Sequence, residues 1–540
     1  MPNPQIFARV IEQELHCTIT FPSGKTVTLS GDPTGAHPQA DWEETLRKNP
    51  ALVSNAWAYA TLSHQRLTLS TVDEQKAAEK RAEAHRKLAS RLASLVDRGT
   101  ESTRDAWCSA CFARTEHMKV QQPKAQIPAW LCDACGSPTI PCAAPSCTHM
   151  AVRGPSAAST PRYCAEHRHD IPGFAKAEAR MEDLSDYRNF LEYDKPHLSR
   201  VTKIAGLSLA GVALATPAAL AAAPAIGGAI GSLIGGYSGA VATSYGLALL
   251  GGGSVAAGGL GMAGGTLVVT TVGAAVGGTL GASITNAYLG EDKSFHIEML
   301  RGGSGVPVVV CNGFLTEQDR GWGGWKDMVT GRYPDSPVYR VHWGSKELRK
   351  LGLLIGGMTA KGAGAGVFAQ LASSAMRVGP QKLAPFGPAL IAADLAKNPW
   401  HVAKNRAEKT GVIIADLLGR TTADAYVLVG HSLGARAMVV AAQTLGTKKD
   451  GPQVEAVHLL GAAIKAEGNW ETLATPVTEA VYNYHSSNDP ILKNVYPLAQ
   501  GSQAAAGLKG FTPVPAKLEN VDCSVPVTSH SGYFNEVELK

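Results

Sequence analysis

The feature that most constrains this chain is Gly430-His431-Ser432-Leu433-Gly434, set between an apolar run and a helical one. Residues 426–429 read as a strand, and the run ARAMVVAAQTL that follows the pentapeptide reads as a helix. Gly-x-Ser-x-Gly is common by itself. Between a strand and a helix it is the context of a nucleophile elbow, a tight turn that presents a serine hydroxyl above the end of a sheet. Gly430 and Gly434 are needed there because side chains at those positions would clash with the strained turn. The helix amino terminus behind Ser432 favours negative charge developing beside it.

The rest of residues 300–540 fits such a turn. β-Branched runs alternate with amphipathic stretches, which predicts an α/β fold with a mostly parallel sheet. Strands are expected at 306–311 (VPVVVC), 338–343 (VYRVHW), 426–429, 457–460, 480–484 and 518–523, with an amphipathic helix over 401–418. An elbow serine requires an acid and then a histidine later in the chain. Asp489 lies just beyond 480–484, and His530 lies in the loop after 518–523. Asp416 precedes the serine, and His485 stands on the strand side of Asp489, so both fit the order less well. In this scheme His530 takes the Ser432 proton and later delivers it to the leaving group, while Asp489 orients the imidazole. The oxyanion hole needs two backbone N–H donors. Leu433 supplies one. Phe314, with Leu315 as the alternate, supplies the other, because Gly313 lets that backbone approach. The scheme calls for no metal or cofactor in the reaction.

Seven of the ten cysteines fall between Cys108 and Cys164. Cys108-x-x-Cys111 and Cys132-x-x-Cys135 have zinc-ribbon spacing, and Cys142, Cys147, Cys164 and His167 offer a second tetrahedral set. Two structural zinc ions are expected, since four protein ligands leave no open position for chemistry. Sequential sites and a cross-brace both fit, and His149 or His169 could stand in for His167. No apolar leader follows the amino terminus, which argues against Sec export and against a disulfide framework.

Residues 204–290 contain no Asp, Glu, Lys or Arg, in a chain that is 18% charged. The segment is long enough for two to four membrane helices at about 20 residues each. Gly227, Gly231, Gly235 and Gly239 recur at a spacing of four, which places them on one helix face where backbones can approach closely. The rival reading is a buried glycine-rich helical layer. Ahead of it, 1–100 is a mixed region with a hairpin across Pro22-Ser23-Gly24 and a charged, solvated helix over 73–98 in which sustained heptads are absent. The stretch 101–175 is the zinc module, 176–203 a helical linker, and 300–540 the catalytic domain. The net charge of +5 is small for 540 residues and not gathered into a stripe, which speaks against nucleic-acid binding.

The runs VVVCNGFLTEQDRGWGGW, YRVHWGSKELRKLG, VGHSLGARAMVVA and YHSSNDPIL resemble the predicted α/β-hydrolases known as transmembrane and coiled-coil domain-containing proteins. That family was catalogued as a domain of unknown function before lipase-like members were noticed. The resemblance covers about 176–540. It implies a serine hydrolase with lipase activity at a membrane, and on matched positions it supports Ser432, Asp489 and His530. The cysteine module at 108–167 is no part of that pattern, and it could dock a protein partner or brace the amino-terminal region. The expectation is therefore a membrane-associated lipase or esterase acting on a lipid or other ester. A lipase toxin delivered by contact-dependent secretion would combine the same parts. A membrane scaffold or pore with a vestigial hydrolase fold would not need the complete Ser–Asp–His set.

Overall fold

The computed structural model describes residues 3–33, 38–122, 128–153, 162–168, 171–191, 276–278, 292–313, 320–344, 387–448, 451–497 and 503–540, with isolated positions between 281 and 289. The charge-free stretch therefore lies almost wholly outside the described residues, as do His169, Phe314 and Leu315. Two compact units are formed, Met1–Ala179 with Asn189–Ala287, and Arg180–Arg188 with Tyr288–Lys540. Among the described residues no helix is long and apolar enough to cross a membrane.

In the first unit, β1 (Gln5–Ile11), β2 (Glu14–Thr20), β3 (Thr26–Gly31) and β4 (Gln39–Trp42) make an antiparallel sheet in chain order. The expected hairpin is β2–β3, turned at Gly24, whose φ of 87° favours glycine. Two helices follow, α1 (Pro50–Gln65) and α2 (Val72–Val96). Asn49 starts α1: its Oδ1 accepts the Leu52 N–H at 2.9 Å, and Pro50 sits where a missing N–H costs nothing. The solvated helix expected over 73–98 is α2, but it is not solvated all round. Ala78, Ala82, His85, Ala89, Leu92 and Val96 form a buried stripe at alternating spacings of four and three, packed on α1. A heptad is thus present. Alanine and histidine write it too faintly to stand out among the charges.

A second antiparallel sheet joins β5 (Gly99–Trp107), β6 (Arg114–Val120), β7 (Ala129–Cys132), β8 (Pro138–Pro141) and β9 (Met150–Val152). Ile19, Val27, Leu52, Trp57, Leu92, Val120 and Leu131 belong to one buried cluster, so both sheets and both helices of this unit share a core.

The second unit is mixed α/β with a parallel-rich sheet. Its strands are β10 (His296–Arg301), β11 (Val308–Cys311), β12 (Val338–His342), β13 (Ala425–His431), β14 (Gln453–Leu460), β15 (Val481–His485) and β16 (Leu518–Asp522). The sheet order is β10-β12-β11-β13-β14-β15-β16. Every neighbouring pair is parallel except β10–β12. Val308, Val309, Val310 and Cys311 are all fully buried, as an uninterrupted apolar strand in the middle of a parallel sheet must be. Chain order reverses around β11: β12 lies on one side of it and β13 on the other. Such a switch point opens a crevice at the carboxyl ends of the strands. The last residues of β11 and β13 lie at those carboxyl ends, and Ser432 follows β13 directly.

Candidate active site and metal centres

Ser432 adopts φ 58° and ψ −119°, a conformation non-glycine residues rarely hold. The turn is over-determined by its neighbours. The Ser432 N–H donates to Leu460 O at 2.9 Å, and the Ala463 N–H donates to Ser432 O at 3.1 Å. The flanking glycines are obligatory: a Cβ at Gly434 would stand 2.0 Å from Cys311 O, and one at Gly430 would stand 2.5 Å from Ala435 Cα. The helix Leu433–Leu445 begins at once. The Leu433 amide is therefore a first-turn donor with no carbonyl of its own helix to serve.

Ser432 and Asp489 are fully buried and His530 nearly so. His530 Nε2 lies 2.8 Å from Ser432 Oγ. His530 Nδ1 lies 2.6 Å from Asp489 Oδ2. The carboxylate can only accept, so Nδ1 carries the proton and Nε2 faces the serine hydroxyl as an acceptor. Asp489 is fixed from its other side, where Oδ1 caps the helix Pro490–Asn494 by accepting the Ile491 and Leu492 N–H groups at 3.0 and 3.1 Å. Burial alone would raise this carboxyl. The His530 charge and hydrogen bond, with the Leu492 N–H, outweigh it and hold the group below the usual carboxylate range.

His431 was expected only as part of the elbow. Its Nε2–H donates to the His530 backbone carbonyl at 2.7 Å, tying the histidine loop to the serine turn. Burial, reinforced by the neighbouring His530, pushes its own imidazole down to about 3. Asn312, which follows VPVVVC, gave no sequence signal of its own. Its Oδ1 accepts from Trp325 Nε1 at 2.7 Å and Arg340 Nε at 3.1 Å, and its backbone carbonyl accepts from Trp343 Nε1 at 3.0 Å. Tyr533, whose hydroxyl donates to Gly507 O at 3.3 Å and lies 3.5 Å from Asp489 Oδ2, gave no sequence signal. Its position depends on how the carboxy-terminal segment folds back. Neither competitor takes a place beside Ser432, where His530 and Asp489 stand: Asp416 pairs with Arg420 at 3.0 Å in a buried ion pair, and His485 ends β15. Phe314, the expected oxyanion donor, lies outside the described residues, while Gly313 before it packs against Ser432.

Seven of the eight cysteines of the first unit, all but Cys17, gather with His167 into two sets that could hold metal ions: Cys108, Cys111, Cys132 and Cys135, then Cys142, Cys147, Cys164 and His167. The sets are sequential rather than cross-braced. Sulfur–sulfur distances of 4.0 Å (Cys108–Cys135), 3.8 Å (Cys111–Cys132) and 3.8 Å (Cys147–Cys164) are far longer than a disulfide. They match the edge of a tetrahedron of thiolates around zinc, about 3.8 Å for Zn–S bonds of about 2.3 Å. Backbone N–H groups support the sulfurs, from Ala110 to Cys108 at 3.3 Å and from Ala144 and Cys164 to Cys142 at 3.5 and 3.2 Å. Phe112 and Gly136, each just after a second cysteine, take positive φ values of 59° and 73° that turn the chain back around the site. His149 is not part of either set; its Nε2 sits 3.5 Å from Glu166.

A serine, a histidine and an aspartate thus form one hydrogen-bonded line at the carboxyl edge of a parallel-rich sheet, in a chain with two cysteine-rich clusters. The chain belongs to the family described as "Protein of unknown function (DUF726)", whose model matches residues 197–539. It is 29% identical to "Transmembrane and coiled-coil domain-containing protein STS1" of Oryza sativa subsp. japonica over 51% of this chain and 42% of that one. It is 28% identical to "Probable lipase MIL1" of Saccharomyces cerevisiae over 50% of this chain and 25% of that one. A third relative, an uncharacterized membrane protein of Schizosaccharomyces pombe, is 31% identical over 27% of this chain and 19% of its own. The chain spans less than half the length of these curated relatives. No solved structure matches it significantly.

Proposed function

We propose that the second unit is an α/β-hydrolase domain, and that the protein is a membrane-associated serine hydrolase cleaving carboxylic esters, those of lipids above all. The observation that carries this reading is the line from Ser432 Oγ through His530 to Asp489, at 2.8 and 2.6 Å. The three residues follow β13, β15 and β16, in the chain order Ser, Asp, His that an elbow serine requires.

In this mechanism Ser432 Oγ attacks the ester carbonyl as His530 Nε2 takes its proton. Asp489 stabilises the imidazolium and keeps Nδ1 toward itself. The oxyanion is met by the Leu433 N–H and by a backbone N–H of the loop after β11, with Phe314 as the proposed donor. Collapse of the tetrahedral species breaks the C–O bond, and His530 protonates the departing alcohol. Water, deprotonated by His530, then releases the acid from the acyl-serine. The cysteine-rich clusters are given a structural part, with zinc as the ion.

Lipid esters are favoured by a relative named as a probable lipase, by relatives named as membrane proteins, and by the charge-free stretch ahead of the domain. The test is hydrolysis of short and long acyl esters and of phospholipid vesicles by the full chain beside its Ser432→Ala variant. Turnover that rises with acyl length and vanishes in the variant supports the reading. Turnover equal in both proteins, or none by a folded wild type, overturns it.

A further inference from the structure

A third cluster of metal-ligating side chains lies in the second unit. On the antiparallel β10–β12 pair, His296 is in register with His342, and Glu298 follows on the same face of β10. The two imidazoles stack with centres 4.1 Å apart and planes within 4° of parallel. Glu298 Oε2 lies 3.1 Å from His342 Nε2. One ligand atom from each of the three residues lies within 4.8 Å of the other two.

The surroundings orient these groups as metal-binding sites orient theirs. His296 Nδ1 lies 3.0 Å from Ser294 O. A carbonyl only accepts, so Nδ1 carries the proton and Nε2 keeps its lone pair for a ligand. Ser294 is itself fixed, its N–H donating to Asp292 Oδ1 at 3.0 Å. The Gly321 N–H donates to Glu298 Oε2 at 3.3 Å. Arg340, in register opposite Glu298, is spent elsewhere, on Asn312 Oδ1 at 3.1 Å and Gly321 O at 2.6 Å.

We propose that His296, Glu298 and His342 form a divalent transition-metal site separate from the two cysteine-rich clusters, with water completing the coordination. Two imidazoles and one carboxylate select zinc or a neighbouring first-row ion, whereas calcium and magnesium require an oxygen shell that is lacking here. The ion would clamp the β10 edge to β12 and hold Gly321 through Glu298. Gly321 is bonded to Arg340, and Arg340 to Asn312, so the site is a positioning device for the Asn312-Gly313 backbone after β11. It touches neither Ser432 nor a substrate, and its existence does not depend on the hydrolase reading.

The test is metal counting on the full chain, with zinc first supplied to fill the cysteine clusters and cobalt(II) then titrated in. A third equivalent is expected, giving the weak visible bands of nitrogen and oxygen ligation without thiolate charge transfer. His296→Ala and His342→Ala should lose this equivalent and keep the other two. Should the buried His342 variant fail to fold, Glu298→Gln, more exposed at the surface, is expected to weaken the third equivalent about tenfold or more. A wild type that retains only two equivalents would overturn the proposal. So would a third equivalent with a thiolate band, or one that survives in the His296→Ala and Glu298→Gln proteins.

Discussion

Gly313 is pressed against Ser432: a Cβ at position 313 would stand 2.7 Å from the serine Cβ, 3.0 Å from its Oγ and 3.0 Å from the Leu433 nitrogen. The loop after β11 therefore reaches the space where an attacked carbonyl and its oxyanion would lie. Gly313→Ala is expected to displace the serine turn, with some loss of stability, and to lower the rate of ester hydrolysis by about a hundredfold or more, the scale on which an oxyanion donor matters. Single-turnover acylation kinetics, measured under conditions where the variant is still folded, would check it. An alanine variant that acylates at the wild-type rate would remove this loop from the mechanism.

Asp489 has two tasks, and one substitution separates them. In Asp489→Asn the remaining amide oxygen can still cap the helix Pro490–Asn494 through Ile491 and Leu492. The amide nitrogen would instead donate to His530 Nδ1, forcing the proton onto Nε2, where it cannot receive another from Ser432. Stability should change little while turnover falls by about 10⁴-fold. A loss of stability with activity preserved would assign Asp489 to the cap alone.

Much of the second unit was legible because its strands are buried on both faces. VVVC and YVLV read as strands since nothing polar interrupts them, and the glycines around Ser432 are dictated by backbone clashes. The edge strand β10, HIEMLR, was not legible, because a half-exposed edge carries polar residues freely. The pairing of His296 with His342 was hidden for the same reason, since it exists only through the antiparallel register. The stripe on α2 was masked by its alanines. The cysteine spacing gave the ligands, but the choice of sequential sets had to wait for the turns at Phe112 and Gly136.

Metal removal should unfold the cysteine-rich part of the first unit and leave the central strands of the second in place. Structural zinc contributes on the order of 10 kcal/mol to small metal-dependent folds. Treating the full chain with a chelator is expected to abolish amide protection in β6, β7 and β8 while β11 and β13 keep theirs. Hydrogen exchange read by mass spectrometry separates the two. Protection of β6–β8 that is indifferent to the chelator would contradict a structural metal there.

Acid should destabilise the second unit through its buried histidines. Burial pushes His458 down to about 3, aided by Arg332, and its nitrogens are held by Tyr333 and Tyr484 at 2.7 and 3.1 Å. His431 is likewise held down to about 3. Both titrate at about 6.5 when unfolded. Between about pH 6.5 and 3 the unfolded chain binds more protons than the folded one, so stability rises with pH and is lost on acidification, by about 1.4 kcal/mol per pH unit for each histidine. Asp489, with its lowered carboxyl, adds to this only below its unfolded value of about 3.9. Urea unfolding at pH 7 and pH 5 measures the slope, and His458→Gln should flatten it. An unchanged slope in that variant would contradict the account.

The central claim is that Ser432 is an activated nucleophile. The most direct measurement is the mass of the full chain after exposure to a fluorophosphonate, with the modified peptide mapped. The account predicts a single adduct on Ser432, absent in Ser432→Ala and strongly slowed in His530→Ala. A folded wild type that forms no adduct, or forms it equally well without His530, would contradict it.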